Sequence, residues 1–405
     1  MITLMLPSAI SLAIPGASKS VGMSSVALLW VMVYLVGTIP AYTLRRRDLE
    51  FLGWPLVMVG LLTVHLLVSS VLVSGHDPGR FVISCVVFLL VCGGTHFASQ
   101  QLLSVRESSL ISASNDVLVS LAILPLAAAA GVPGFGASTD YAKPIVFFSE
   151  PSHFALATMP LLLFRMAISK RATQFLLIGA ALLIAAIMQS LTMVAGVLFV
   201  AALLLRQALL LLLLIPLASI ALLMDISYYA ERLALTSDSK NLSTLVFLQG
   251  WDNALLNFAT THGFGLGFQQ FGVAGSTGEI SDKIALLLTG DSLSLLDGGT
   301  TASKLIGEFG IFGILLLIGF MVIVVRSTVF LRRSQSLPPQ SRDIRRMFFC
   351  SLIATYTVEL FVRGVGYFSP GGFLALVALI SMSRMGWQPA EVNLRAVRTQ
   401  PRPAT

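Results

Sequence analysis

The sequence predicts an all-α polytopic membrane protein that crosses the bilayer about eleven to twelve times and carries one large loop outside it. Three observations predict this. The chain of 405 residues is 56% hydrophobic and only 11% charged, where soluble domains carry about 25% charged residues. Its mean hydropathy is +0.88. Its apolar stretches are continuous runs rather than alternating ones, which excludes an outer-membrane barrel.

A bilayer core takes roughly 20 apolar residues per helix. Runs near that length fall at 21–44, 51–74, 81–104, 109–131, 152–168, 172–189, 191–205, 207–224, 304–325, 347–368 and 370–386, with a shorter twelfth at 2–15. Residues 1–16 are apolar but lack a basic leader, so no cleavable signal is expected, and 2–15 reads as a span with a half-buried segment as the alternative. Residues 1–405 form a single membrane domain on this reading, and 225–303 is its only large extramembrane piece. Cys85, Cys92 and Cys350 lie inside apolar runs without CxxC spacing and read as small hydrophobes.

Charge orients the spans. Counting alternate sides from Arg45-Arg46-Arg47 places Arg106, Arg165, Lys170, Arg171, Arg206, the cluster Arg326 to Arg346 and the tail from Arg384 on the cytoplasmic side, 18 of the 26 basic residues. The net charge of +7 therefore reflects topology, and no nucleic-acid partner is expected. Most acidic residues fall on the other side, in 132–151 and 225–303. The chain carries no ATPase motif, soluble catalytic domain or fixed-period repeat. Its chemistry is expected at the outer face.

Within the loop, Phe247, Leu248, Trp251, Ala254, Leu255 and Phe258 recur at helical spacing, with Gln249, Asp252, Asn253 and Asn257 opposite. This predicts an amphipathic helix lying at the interface with aromatic anchors. HGFGLGFQQFG at 262–272 predicts a structured turn. A phosphate cradle there is a weaker reading, because no strand–turn–helix context surrounds it.

Charge at membrane depth is costly and marks functional candidates. Glu150, His153, Glu308 and Arg363 stand out on the outer half, with Asp116 and Glu359 in or near spans. In FFSEPSHFA, Pro151 suits a first helical position, so Glu150 or Ser149 caps that helix. His153 then sits in a first turn that favours anions or a neutral imidazole able to act as a base.

EPSHFA resembles the EPS-F signature of bacterial polysaccharide polymerases of the Wzy type, in the O-antigen ligase/polymerase superfamily. ERLALTSDSKNLSTLVFLQGWDNALLNFATTHGFGLGFQQFG resembles their large periplasmic loop, with an Arg near its start, an Asn-x-Ser segment, an amphipathic helix and an fGxGfgqf motif. SKLIGEFGIFG resembles their E-x-G-x-x-G element, and RGVGYF a late Arg-Gly external motif. Together these span Phe147 to Phe368, about half of the chain. The chain departs from the polymerase pattern at STLVFLQGW, which lacks the mid-loop Arg of many relatives. It departs from the ligases at TTASKLIGEFG, where Ser303 stands and no His precedes the glutamate.

The resemblance implies a GT-C-like glycosyltransferase of the bacterial inner membrane that is metal-independent and needs no cofactor. Its substrate would be undecaprenyl-pyrophosphate-linked oligosaccharide. Its partners would be the lipid bilayer and, beside it, a flippase and chain-length regulator proteins. Glu150 or His153 would serve as base, with His262 in reserve. Arg232 and Arg363 would bind the pyrophosphate, supported by Lys304 or Arg80, with Trp251 and Tyr367 as aromatic substrate contacts. No Asp-x-Asp metal site is visible. The alternatives are an O-antigen ligase-type enzyme, a transporter of lipid-linked oligosaccharide or solute, and an assembly scaffold.

Overall fold

The computed structural model describes residues 1–13, 19–38, 46–132, 145–205, 235–239, 241–288 and 295–386. They form fourteen α-helices and no strand: α1 Ile2–Ala13, α2 Lys19–Thr38, α3 Arg46–Leu72, α4 Pro78–Ser104, α5 Glu107–Ala129, α6 Pro151–Ile168, α7 Arg171–Ile187, α8 Leu191–Leu204, α9 Leu242–Thr260, α10 Glu279–Leu287, α11 Thr301–Phe309, α12 Ile311–Gln335, α13 Ile344–Phe361 and α14 Pro370–Met385. Five of them are long and apolar enough to cross a membrane: α3 from Gly53, α4, α5, α6 and α12. Four shorter apolar stretches accompany them in α2, α7, α8 and α14. The expected span at 207–224 lies outside the described residues.

The helices start where side chains can satisfy their first free N–H groups. Asp77, Ser190, Asn241, Thr300, Asp343 and Ser369 each accept a backbone N–H at an N-cap. α6 instead begins, as expected, with Pro151 just inside its first turn, while α4 and α14 combine such a proline with their capping side chains.

α6 and α13 form the centre of the bundle. Fourteen of the 18 residues of α6 are buried and twelve of the 18 of α13, so both are apolar on all sides and wrapped by protein. Phe164 meets Phe348 edge-on between them at 5.2 Å. α3, α5 and α12 are peripheral, with about a fifth of their apolar windows buried, and present long aliphatic faces outward. The three cysteines are free and sit in the bundle as small hydrophobes.

One end of the bundle is lined with arginines that complete the carbonyls of helix C-termini. Arg332 donates to Ala202 and Leu203 at the end of α8, Arg342 to Ile168 and Gln335, Arg345 to Val105, and Arg346 to Met385. A guanidinium there meets both the free C=O groups and the negative end of the dipole. The opposite end carries α9 to α11 and the connecting loops.

The structure changes two sequence readings. The run at 304–325 is not one helix: Gly310, at φ +55°, separates α11 from α12. α9 also does not lie with its amide face to solvent. Gln249, Asn253 and Asn257 are buried, while Leu255 is exposed. Their amides hold the following loop: Gln249 and Asn253 donate to Ser281, Asn253 accepts from Gly278 N, and Asn257 accepts from Ser276 N. Loop backbone and the Ser281 hydroxyl satisfy these amides inside the fold, so the polar face of α9 forms a buried seam.

Candidate functional site

Two polar clusters form at the end opposite the arginine layer, and one short segment touches both. Residues 363–368 run from the end of α13 to the start of α14. Gly364 N bonds Gly299 O, and a Cβ at Gly364 would lie 2.4 Å from the Thr301 nitrogen. Only glycine lets this segment press onto the turn before α11.

The first cluster is at the N-terminus of α6. Arg363 Nη2 donates to Glu150 Oε2 at 3.1 Å, joining segments 213 residues apart. Ser152 donates to the same carboxylate oxygen at 2.8 Å. Both charged side chains are only partly covered, Arg363 at 20% and Glu150 at 38% exposure. Glu150 occupies the N-cap position but makes no side-chain cap bond; its carboxylate turns to the guanidinium, a charge-assisted partner stronger than an amide. His153 is buried, and its Nδ1 pairs with the Ser149 hydroxyl at 2.8 Å. Its ring lines a narrow cavity of about 30 Å³, room for roughly two waters, together with Phe148, Glu359, Phe368 and Gly371. Glu359 is buried on α13 and close to α14: a Cβ on Gly371 would fall 2.0 Å from Glu359 Oε2.

The second cluster is built on α11. Lys304 and Glu308 are both buried, one turn apart, with Nζ and Oε1 at 3.9 Å. Lys304 donates to Leu296 O at 2.7 Å and to Gln269 Oε1 at 3.1 Å, and lies 5.2 Å over the Tyr367 ring. Arg80 Nη2 reaches the same Gln269 oxygen at 3.5 Å. Glu308 accepts the backbone N–H of Gln269 at 2.9 Å and of Phe271 at 3.1 Å. Burial raises the Glu308 carboxyl above the usual carboxylate range, opposed by Lys304 and the two N–H donors. Burial lowers the Lys304 ammonium, opposed by Glu308 and Asp297. Burial also pushes the Tyr367 phenol well above its ordinary value, and the Glu308 charge adds to this.

The glycine-rich turn therefore does cradle an anion, but the anion is the protein's own. Gln269, at φ +60°, and Phe271 aim their N–H groups at Glu308. The turn is fixed to α3 and α4 as well. His65 donates to Phe264 O, Ser69 to Gly265 O and His76 to Leu266 O, while Gln270 exchanges two hydrogen bonds with the Asp77 backbone. The N–H groups of Leu266 and Gly267 are taken as well, by Gly307 O and Glu308 O, which leaves the phosphate-cradle reading without support here.

The structure thus gathers Glu150, His153 and Arg363 in one cluster and Lys304, Arg80 and Tyr367 in the other. Tyr367 and Phe368 bridge them, stacking on and meeting edge-on the same Phe268 ring at 5.9 and 6.3 Å. His262 does not join either cluster. Its side chain is exposed on the turn after α9 and makes no hydrogen bond or ion pair among the described residues. Trp251 packs against a satellite core of Ala302, Leu317 and Leu360. Arg232 lies outside the described residues. Two participants were not legible as such: Gln269, an uncharged residue in a glycine-rich run, and Glu359, which its position near a span flagged but whose cavity only the packing reveals. No family model, no curated protein and no solved structure matches this chain.

Proposed function

We propose that this chain is a membrane glycosyltransferase of the polysaccharide-polymerase kind, joining oligosaccharide repeat units carried on a lipid diphosphate at the face opposite the arginine layer. The observation that carries this reading is the Arg363–Glu150 pair, partly exposed at the positive end of α6. It joins an anion-binding group and a proton acceptor in one place, drawn from two of the four motifs whose resemblance suggested the enzyme. The bacterial inner membrane, a full complement of eleven to twelve spans and a GT-C-like architecture belong to this proposal.

In the reaction, the acceptor sugar hydroxyl attacks the anomeric carbon of the donor. The new glycosidic C–O bond forms, the anomeric C–O bond to diphosphate breaks, and the lipid diphosphate leaves. Arg363, aided by Arg232, neutralises the charge growing on the leaving group through paired N–H donors. Glu150 takes the hydroxyl proton once the diphosphate has claimed its guanidinium partner. His153 is too enclosed to meet a sugar and positions the start of α6 through Ser149. Lys304 holds Gln269 and Glu308 and is a positioning residue for the loop.

The test is complementation of a deletion strain, reading polymer length on gels at matched protein levels. Glu150→Ala, Arg363→Ala and Arg232→Ala are each expected to lose long polymer, by at least ~10²-fold for the base. Normal polymer from all three variants would overturn the reading; a normal polymer with impaired export would favour the transporter.

A further inference from the structure

Two charges of opposite sign lie exposed on the peripheral membrane-spanning helices. Asp116 is on the outer face of α5, nine residues after its first residue Glu107. Arg326 is on the outer face of α12, nine residues before its last residue Gln335. Neither has an ion-pair partner or side-chain hydrogen bond among the described residues. At 1.5 Å per residue, each lies about 13 Å from the end of its helix. Those ends share one level: Arg345 bonds Val105 O, just before α5, and Arg342 bonds Gln335 O. The two charges therefore lie at matching distances from the arginine layer, and Arg326, which the run at 304–325 placed beyond its span, falls within helix α12. An aspartate has no long stem with which to snorkel, so in lipid a cationic partner would relieve its cost.

Each charge belongs to an exposed stripe. On α5 the stripe is Ser112, Asp116, Val119, Ile123 and Leu126; on α12 it is Leu315, Gly319, Val322, Arg326 and Val329. Both follow alternating steps of three and four residues, the spacing of a helix–helix seam. α5 begins at the arginine layer and α12 ends there, so copies sharing one membrane orientation would bring them together antiparallel. Setting Asp116 against Arg326 then places Val119 opposite Val322, Leu126 opposite Leu315, and Ile123 opposite Gly319. At Gly319 an added Cβ would meet nothing within its own chain, leaving a notch for the isoleucine. Small residues allow such close approach in membranes.

We propose that this chain self-associates in the membrane along this seam, α5 of one copy against α12 of another, with the Asp116–Arg326 ion pair setting the register. Charge complementarity at one depth, in matching stripes, singles out a second copy as the occupant. Where both seams of two copies engage at once the contact is isologous and closes as a dimer; where only one does it is heterologous and closes as a small ring.

The test uses full-length chain in native membranes with Cys85, Cys92 and Cys350 replaced by alanine. One tagged copy carries Val119→Cys, and a differently tagged copy carries Val322→Cys. Copper-phenanthroline oxidation is expected to give a species of twice the mass bearing both tags. Val119→Cys paired with Leu176→Cys, on the exposed face of α7, is expected to give none. Asp116→Arg or Arg326→Asp alone should cut the yield at least tenfold, and the two combined in one chain should restore at least half of it. No doubly tagged species above the control, or an unchanged yield in the charge variants, would each overturn the proposal.

Discussion

Glu308 is identifiable from the sequence as a carboxylate at membrane depth, a class that is usually functional. Its environment assigns it a structural task. Two backbone N–H groups and Lys304 take its lone pairs, and it is wholly buried. Removing one member of a buried pair strands the other charge, at about 3–5 kcal/mol, whereas replacing both by apolar groups is often close to neutral. Glu308→Ala is therefore expected to lower the melting temperature of the detergent-purified protein sharply. Lys304→Met combined with Glu308→Met should recover much of that loss, more than additivity of the singles allows. Equal, additive losses would show that the pair is not coupled. Glu150 contrasts with this: its carboxylate is part-exposed and its partner lies across the fold, so a site role fits it and a stability role does not. Glu150→Gln should leave the melting temperature within ~1 kcal/mol equivalent of wild type, because partly exposed ion pairs contribute little.

At the scale of elements, the break between α11 and α12 decides where α11 points. Gly310 has φ +55° and ψ −127°, and a Cβ there would lie 1.9 Å from Gly263 O. Ile311 N donates to that same carbonyl, so the break and the glycine-rich turn hold each other. Gly310→Ala combines a conformation only glycine takes readily with a backbone collision, costing at least about 2 kcal/mol. It is expected to lower thermal stability and polymer yield together, whereas Gly60→Ala in α3, where a Cβ meets nothing, should change neither. The break was not legible in the hydropathy, because KLIGEFGIFGILLL stays apolar through it. The inward turn of α9 was hidden for a related reason. Periodicity separates an amide face from an apolar one but does not say which is covered, and here the 276–281 loop covers the amides.

At the scale of the whole molecule, the arginine layer and the two polar clusters occupy opposite ends, which sets a topology test. A cysteine replacing Leu286, highly exposed on α10, should be labelled in intact cells by a membrane-impermeant maleimide. One replacing Arg333, at the arginine-rich end, should be labelled only after permeabilisation; the reverse pattern would invert the orientation. The sequence by itself determined the all-helical character, most helix positions, and the candidate status of Glu150, His153, Lys304 and Arg363. These follow from apolar run length, proline and cap placement and the cost of charge in lipid, all local quantities. Only the tertiary structure decided which of those charges meet. Arg363 pairs with Glu150 from 213 residues away, and Lys304 faces Glu308 and Gln269 instead of an open site. His262 is exposed and joins neither cluster. The reason is physical: hydropathy reports how deep a side chain sits, but its partner is set by helix packing, and packing depends on residues distant in the chain.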